Sequence, residues 1–470
     1  MNAWAWDDIA RVAGGSWHTP PRDEVIPFVG VSIDTRSLVS GQVFFAFDGE
    51  QVDGHEYLAA ARDGGAGACV VTHGERVPDD IGIPVLVVGD ALDALTRLAE
   101  VWRVRIRAKV IGITGSNGKT TTCRLMHGIC SAAGKTYASP KSFNNALGVP
   151  ITVLNTPIDA AYLVAEVGMS TPGEIAARTR TLRPDVSIIT SIGRAHLEGL
   201  GSIENIAIEK AQLIATAPAA AVGVIPHGIG SLDAALDGDP HRIERLGDGF
   251  RVEQIDQGGC AFSVDGALFR VPIPGEHNAH NAGLCVLAAR ALGIEDGVIR
   301  AGLAQAKPPT MRFERVEIET DSDPIVVIND AYNANPDSMR AALATFVGLQ
   351  APGRKIAVLG EMLEMGKTGP GEHRSLAEYA AGFDGLDRVI LLGASFGSVL
   401  ADVPIDDARV EVIPDRSDGA IAALASSILP GDTVLIKGSR GVRLERLVAN
   451  LGDIHASGRS NGKENAQTPA

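Results

Sequence analysis

Lys109-Val-Ile-Gly-Ile-Thr-Gly-Ser-Asn-Gly-Lys-Thr-Thr121 is the stretch on which the architecture turns. Its first half is a short apolar run that reads as a buried strand. A Gly-rich turn follows, then a helical pattern from Thr121 to Ala133, closed by Gly134. Strand, turn and helix in that order place backbone N–H groups and a helix N-terminus around one point, a cradle for phosphate anions. Lys119 would lie against the β- and γ-phosphates of a nucleotide, and Thr120 would offer its hydroxyl to Mg²⁺. The spacing departs from the common GxxxxGK[ST] form, whose first glycine would fall at Ile113.

Outward from this loop, the chain reads as three segments and a tail. Upstream lie β-rich runs at 43–47 and 68–72. A helical stretch at 91–104 repeats Leu92, Leu95, Leu98, Ala99 and Trp102 at helical spacing. Downstream, apolar runs at 161–167 and 184–191 alternate with helical patterns, as in a parallel α/β sheet. Lys307-Pro-Pro309 reads as a linker, and further runs at 325–328, 355–359, 388–392 and 433–436 make a second α/β unit. The expected limits are 1–108, 109–311 and 312–456, with a polar tail at 457–470 expected to be disordered.

Composition bounds the function. A chain of 470 residues suggests about three domains. With 45% hydrophobic and 21% charged residues it is an ordinary globular chain. A net charge of -15 and 4% aromatics disfavour a nucleic-acid surface. The five cysteines form no CxxC pair, which fits a reducing compartment. The acidic start carries no signal-peptide pattern and no apolar run reaches membrane length, so a cytoplasmic protein without membrane insertion is expected.

The departure in the loop has a match. Ile-Thr-Gly-Ser-Asn-Gly-Lys-Thr-Thr resembles the nucleotide loop of the Mur ligases and folylpolyglutamate synthases, ATP-dependent amide-forming enzymes of three domains. Further segments follow in the family's order. They are Phe143-Asn-Asn-Ala-Leu-Gly-Val-Pro150, Glu166-Val-Gly168, Gly173-Glu-Ile175 and Ile192-Gly-Arg-Ala-His-Leu-Glu198, then Lys210, Gly275-Glu-His-Asn278 and Lys437-Gly-Ser-Arg440. Asp330-Ala-Tyr-Asn-Ala-Asn-Pro336 resembles the motif of the branch that adds D-alanyl-D-alanine to UDP-N-acetylmuramoyl-tripeptide. Asp34-Thr-Arg36, Gly41-Gln-Val-Phe-Phe45, Asp53-Gly-His55 and Gly64-Gly-Ala-Gly-Ala68 resemble a uridine-nucleotide-binding domain.

The resemblance implies a P-loop-type parallel-sheet ATPase domain in the centre and a Rossmann-like C-terminal domain. It implies ATP and Mg²⁺ as cofactors, UDP-N-acetylmuramoyl-tripeptide and D-alanyl-D-alanine as partners, and a monomer. Lys119, Lys210 and His196 would be catalytic. Gly115, Ser116, Asn117, Gly118, Lys119, Thr120, Thr121, Asn278, Arg312 and Asp330 would bind ATP, with Asn278 on adenine, Arg312 on phosphate and Asp330 on ribose. Thr120, Glu166, His196 and Lys210 would form the metal site, Lys210 as a CO₂-derived carbamate. Asp34, Thr35, Arg36, Asn145, Tyr332 and Asn335 would meet the other substrates.

Each residue also has a plainer reading. Glu166 could be a solvated strand-end acid, and His196 a helix-entry hydrogen bonder. Lys210 sits on the inward stripe of a helix capped by Ser202, where a lysine can pack its stem and extend its ammonium to water. Asn278 could cap a helix starting near Ala279, Asn335-Pro336 could simply turn the chain, and Asp34-Thr-Arg36 could be a polar loop. Another amide ligase of the family, or a non-catalytic nucleotide-binding protein of the same fold, are the competing functions.

Overall fold

The computed structural model describes residues 3–22, 25–49, 52–140, 142–195, 197–401 and 405–464. The quoted stretch forms the strand Lys109–Thr114 and the helix Lys119–Ala133, so the helix starts two residues earlier than its apolar period suggests. That strand lies inside a six-stranded sheet ordered Arg242–Leu246, Val222–Pro226, Val186–Ile189, Lys109–Thr114, Tyr162–Glu166, Thr136–Ala138. Every pairing in it is parallel. Each strand therefore ends at the same sheet edge, where loops gather and ligands bind in such sheets.

The C-terminal unit is a second six-stranded sheet, ordered Glu314–Ile318, Ile325–Asp330, Thr433–Lys437, Lys355–Gly360, Arg388–Leu392, Val410–Ile413. Only its edge pair, Glu314–Ile318 with Ile325–Asp330, is antiparallel. The N-terminal unit is a five-stranded sheet in which Ser16–Thr19 runs antiparallel to Val85–Val87 and the other pairs are parallel. An antiparallel sheet of Phe250–Asp256, Gly259–Val264 and Ala267–Val271 attached to the central unit went unread in the sequence, as did the pairing of Ala3–Ala5 with Val25–Pro27. The final helix, Glu445–Glu464, continues past Ser457, where a disordered tail was expected to begin. Among the described residues no helix is long and apolar enough to cross a membrane.

Packing joins the first two units. One core cluster holds Trp4, Phe28, Val43 and Trp102 together with Val149, Val153, Leu163 and Ala165. The C-terminal unit keeps its cores to itself, with Phe313, Met339, Phe346 and Leu391 in one cluster and Val327, Val358 and Ile436 in another.

Candidate functional site

Two glycines shape the turn after Lys109–Thr114. Gly118 has φ 80°, and a Cβ on it would lie 2.5 Å from Asn281 Oδ1. A Cβ on Gly115 would lie 1.8 Å from Thr190 Oγ1. Only glycine lets the backbone take this left-handed step with the helix Glu276–Ala291 and the loop at 190–193 so close. That loop braces the turn: Asn117 N donates to Ser191 Oγ at 2.9 Å, and Ser116 Oγ donates to Gly193 O at 3.0 Å. Lys119 Nζ donates to Gly115 O at 2.8 Å, folding its ammonium back over the turn. Burial holds that ammonium below its ordinary pKa; Glu166 opposes the shift and Arg312 adds to it.

Glu166 ends the strand beside Lys109–Thr114 and is buried, which excludes the solvated reading. Its two oxygens accept from Thr120 Oγ1 at 2.9 Å and Asn144 Nδ2 at 2.7 Å. Asn144 is the family-segment residue that reaches this carboxylate, whereas Asn145 accepts from Gly148 N at 2.8 Å on the exposed side. Lys210 lies on the helix Ile203–Ala215 and is only 1% exposed, so its ammonium does not extend to water. Burial first, then the nearby Lys119, push its pKa well below the ordinary lysine value, against a smaller pull from Glu209. Its nitrogen is therefore held toward the neutral amine. Among the described residues no three His, Cys, Asp or Glu side chains gather as a metal cluster, and His196 lies outside those residues.

The third group comes from the C-terminal unit. Asp330 ends its strand and accepts from Lys437 Nζ at 2.7 Å and Phe313 N at 3.1 Å. Arg312 stacks over the Tyr332 ring at 4.3 Å, and Tyr332 donates its hydroxyl to Ser142 Oγ at 2.8 Å. Asn335 caps the helix Pro336–Gly348 and pairs with Asn117 of the phosphate turn. Asn278 is not a cap: Gly275 holds that place, and Asn278 lies within the first turn of Glu276–Ala291, donating to Pro274 O at 2.8 Å.

Between the two units lies a cavity of about 730 Å³. Ser116, Asn117, Gly118, Lys119 and Thr121 line its floor, and Arg312, Asp330, Asn335 and Lys437 face them. Its far end is less polar, with Pro226, Ile229, Leu246, Ile255 and Leu284 on one wall and Ala341, Ala344 and Thr345 on the other. Backbone N–H and cationic groups able to take phosphate at one end, with an apolar slot at the other, suit a nucleotide. Ile255 comes from the small antiparallel sheet, so that unread element supplies part of the wall.

Three family models match in series: "Mur ligase family, catalytic domain" over residues 27–103, "Mur ligase middle domain" over 113–289, and "Mur ligase, glutamate ligase domain" over 311–440. A UDP-N-acetylmuramoyl-tripeptide–D-alanyl-D-alanine ligase of Bacillus subtilis is 33% identical over 94% of this chain and 97% of its own. This chain belongs to the Mur ligase family.

Other members of the family agree. The ligase of the same name from Escherichia coli is 30% identical over 90% of this chain and 93% of its own. MurF from Acinetobacter baumannii superposes with a TM-score of 0.82 at 27% identity, covering 96% of this chain and 99% of that one. MurF from Thermotoga maritima, solved in complex with ADP, gives 0.75 at 25% identity, over 90% and 97%. The three-domain Mur ligase fold is therefore that of this chain.

The N-terminal residues singled out in the sequence lie in the N-terminal unit, away from that cavity. Asp34 takes Arg36 with both carboxylate oxygens, at 2.9 and 2.7 Å, which locks the turn and leaves Thr35 partly exposed at its apex. In the neighbouring motif, Asp53 accepts from His55 N at 2.9 Å, and Thr72 N donates to His55 Nε2 at 3.2 Å. Thr190, Ser191, Asn144 and Asn281 were missed in the sequence. Only Asn144 lay inside a quoted family segment; the others carry no spacing signal.

Proposed function

We propose that this Mur ligase joins D-alanyl-D-alanine to UDP-N-acetylmuramoyl-tripeptide, cleaving ATP to ADP and phosphate. The observation that carries the reading is the composite cavity, with a phosphate turn on one unit and Arg312, Asp330 and Lys437 on the other. The triphosphate lies on the 115–121 turn, its negative charge offset by Lys119 and Arg312. Asp330 retains acceptor capacity for ribose hydroxyls beside its pair with Lys437. The apolar slot takes adenine, with Asn278 at its edge.

A carboxylate is a poor acyl donor. The tripeptide's terminal carboxylate attacks the γ-phosphorus in line, ADP leaves, and an acyl phosphate results. The dipeptide amine attacks the activated carbonyl, and phosphate leaves. Asp34, Thr35 and Arg36 hold the uridine end, and Tyr332 stands where the C-terminal unit meets the central loop at Ser142. Domain limits at 1–108, 109–311 and 312–456 fit this division of labour, and the reaction belongs in the cytoplasm.

Thr120 and Glu166 offer hard oxygen donors side by side, which suits Mg²⁺, and His196 and a carbamylated Lys210 would complete the set. When bound, the ion supplies charge neutralisation on the phosphates. Carbamylation needs a neutral amine, which the burial of Lys210 favours. In that case Lys210→Ala impairs ligation, and short carboxylates, rather than amines, partly restore it. Rescue by amines alone would instead make Lys210 a cation.

The reaction itself is tested by measuring phosphate release with UDP-muramoyl peptides against D-alanyl-D-alanine and free amino acids. Release only with tripeptide plus D-alanyl-D-alanine is expected. Release with a single amino acid would assign the chain to another branch, and no release with any pair would leave a nucleotide-binding protein without ligase activity.

A further inference from the structure

We infer that Asn335 is a positioning residue, which ties the phosphate turn to the C-terminal unit through a reciprocal amide pair with Asn117. The inference rests on the ligase reading above and deepens it. Asn335 Nδ2 donates to Asn117 Oδ1 at 2.7 Å, and Asn117 Nδ2 donates back to Asn335 Oδ1 at 3.3 Å. An amide paired in both directions has its donor and its acceptor oriented at once, a tighter constraint than a single bond.

Both partners are anchored in the parts that must meet. Asn335 Oδ1 also accepts from Ser338 N at 2.9 Å, so the same oxygen caps the helix Pro336–Gly348. That helix places Ala341, Ala344 and Thr345 on the cavity wall. Asn117 is held by its backbone, with its N–H on Ser191 Oγ at 2.9 Å. Among the described residues no other side chain of the C-terminal unit hydrogen-bonds to the 115–121 turn. Other contacts across the seam lie off the turn: Asp337 with Arg194 N, Glu372 with the Arg194 guanidinium, Tyr332 with Ser142, and Gln257 with Gln350 O.

The pairing also revises what the family resemblance implies for Asn335. Its oxygen already accepts two hydrogen bonds, which is its full capacity. Asn335 is also buried. With the oxygen filled and one Nδ2 proton on Asn117, its main effect on the reaction runs through the phosphate turn, by fixing how the C-terminal unit sits on that turn. Misplacement at that distance scale costs rate more than binding.

Substitutions can separate capping from pairing. Asn335→Ser keeps a competent helix cap but is too short to reach Asn117. Asn335→Asp keeps the cap and accepts from Asn117 Nδ2, but cannot donate. With ATP, UDP-muramoyl-tripeptide and D-alanyl-D-alanine, Asn335→Ser is expected to lower kcat about tenfold and to change the KM for ATP less than about twofold. Asn335→Asp should fall between, and the melting temperature should hold. Asn117→Ser combined with Asn335→Ser should lose no more than the worse single variant. In small-angle scattering, the wild type should become more compact with a non-hydrolysable ATP analogue, and both single variants less so.

Multiplicative losses in the double variant, a wild-type kcat in Asn335→Ser, or a kcat loss matched by a fall in melting temperature would overturn the inference. A wild type that fails to turn over these substrates would remove the ligase reading. The scattering cycle then decides the pairing alone: equal compaction in wild type and variants rejects it, and reduced compaction in both singles and the double supports it.

Discussion

The central unit meets its two neighbours in physically different ways. Toward the N-terminal unit the contact is apolar and continuous. Trp4 stacks on Trp102 at 5.5 Å, Phe28 leans on Trp102 at 4.7 Å, and one core runs from these rings to Val149 and Leu154. Polar links flank it, with Asn155 bonding Val31 N and O at 2.7 and 3.0 Å, Trp102 Nε1 donating to Thr156 O at 3.1 Å and Arg103 donating to Leu182 O at 2.7 Å, while Trp4 Nε1 is buried without a partner among the described residues. Toward the C-terminal unit no core cluster crosses among the described residues, and the seam is a cavity of about 730 Å³ bridged by polar pairs. A shared dry core binds two units into one cooperative body, whereas polar pairs across a cavity can open and close at low cost. The first seam supports the fold, and the second holds the cavity proposed for the reaction.

The strongest break of this contrast is Lys119→Ala. It should abolish turnover while circular dichroism and the melting temperature stay near wild type, because Lys119 serves the cavity and not a core. A variant that turned over normally would remove the phosphate turn from the reaction. Trp102→Ala is the converse. The side chain is 1% exposed, and its loss should cost about 3–5 kcal/mol. N-terminal and central units should melt together in one calorimetric transition. A separate N-terminal transition, with the central one unmoved, would show that the core does not unite them.

His277 sharpens the second seam through pH. Burial pushes its pKa down to about 4, with Asp330 opposing and Lys437 adding to the shift. The unfolded chain, with its histidine near about 6.5, binds the proton first as pH falls. Stability from neutral His277 is thus complete above about 6.5 and declines toward about pH 4, at no more than about 1.4 kcal/mol per pH unit. His277→Asn should flatten that part of the curve in denaturant titrations, and parallel curves would exclude the effect. The smallest change is expected for Arg194→Ala, which removes the 2.6 Å pair with Glu372. Arg194 is 41% exposed at its side chain, so the pair is worth about 0.2–1 kcal/mol. Turnover should fall by less than about threefold, and high salt should erase the difference.

What the sequence carried follows from locality. The strand Lys109–Thr114, the turn after it and the helix Lys119–Ala133 are contiguous, so pattern and motif coincide there. The apolar runs at 325–328 and 433–436 likewise fall within the strands Ile325–Asp330 and Thr433–Lys437. The strand Phe250–Asp256 gave no such signal, because none of its residues is buried and it is fixed by pairing with Gly259–Val264 and by contact with the helix Glu276–Ala291. The motif order also brought Glu166, Lys210, Arg312 and Asp330 into view as candidates, each on a segment that can be recognised alone.

The tertiary structure decided how those candidates are used. It buried Glu166 between Thr120 and Asn144, and it placed Lys210 where its charge is disfavoured. It joined Asn117 to Asn335, 218 positions apart in the chain. Hydrogen bonds and burial depend on which surfaces meet in space, and no local period or spacing records a meeting of two separately folded units. By itself the sequence determined the strand–turn–helix elements and the inventory of chemical groups. Only the packing of three units determined that one seam is a core and the other a cavity.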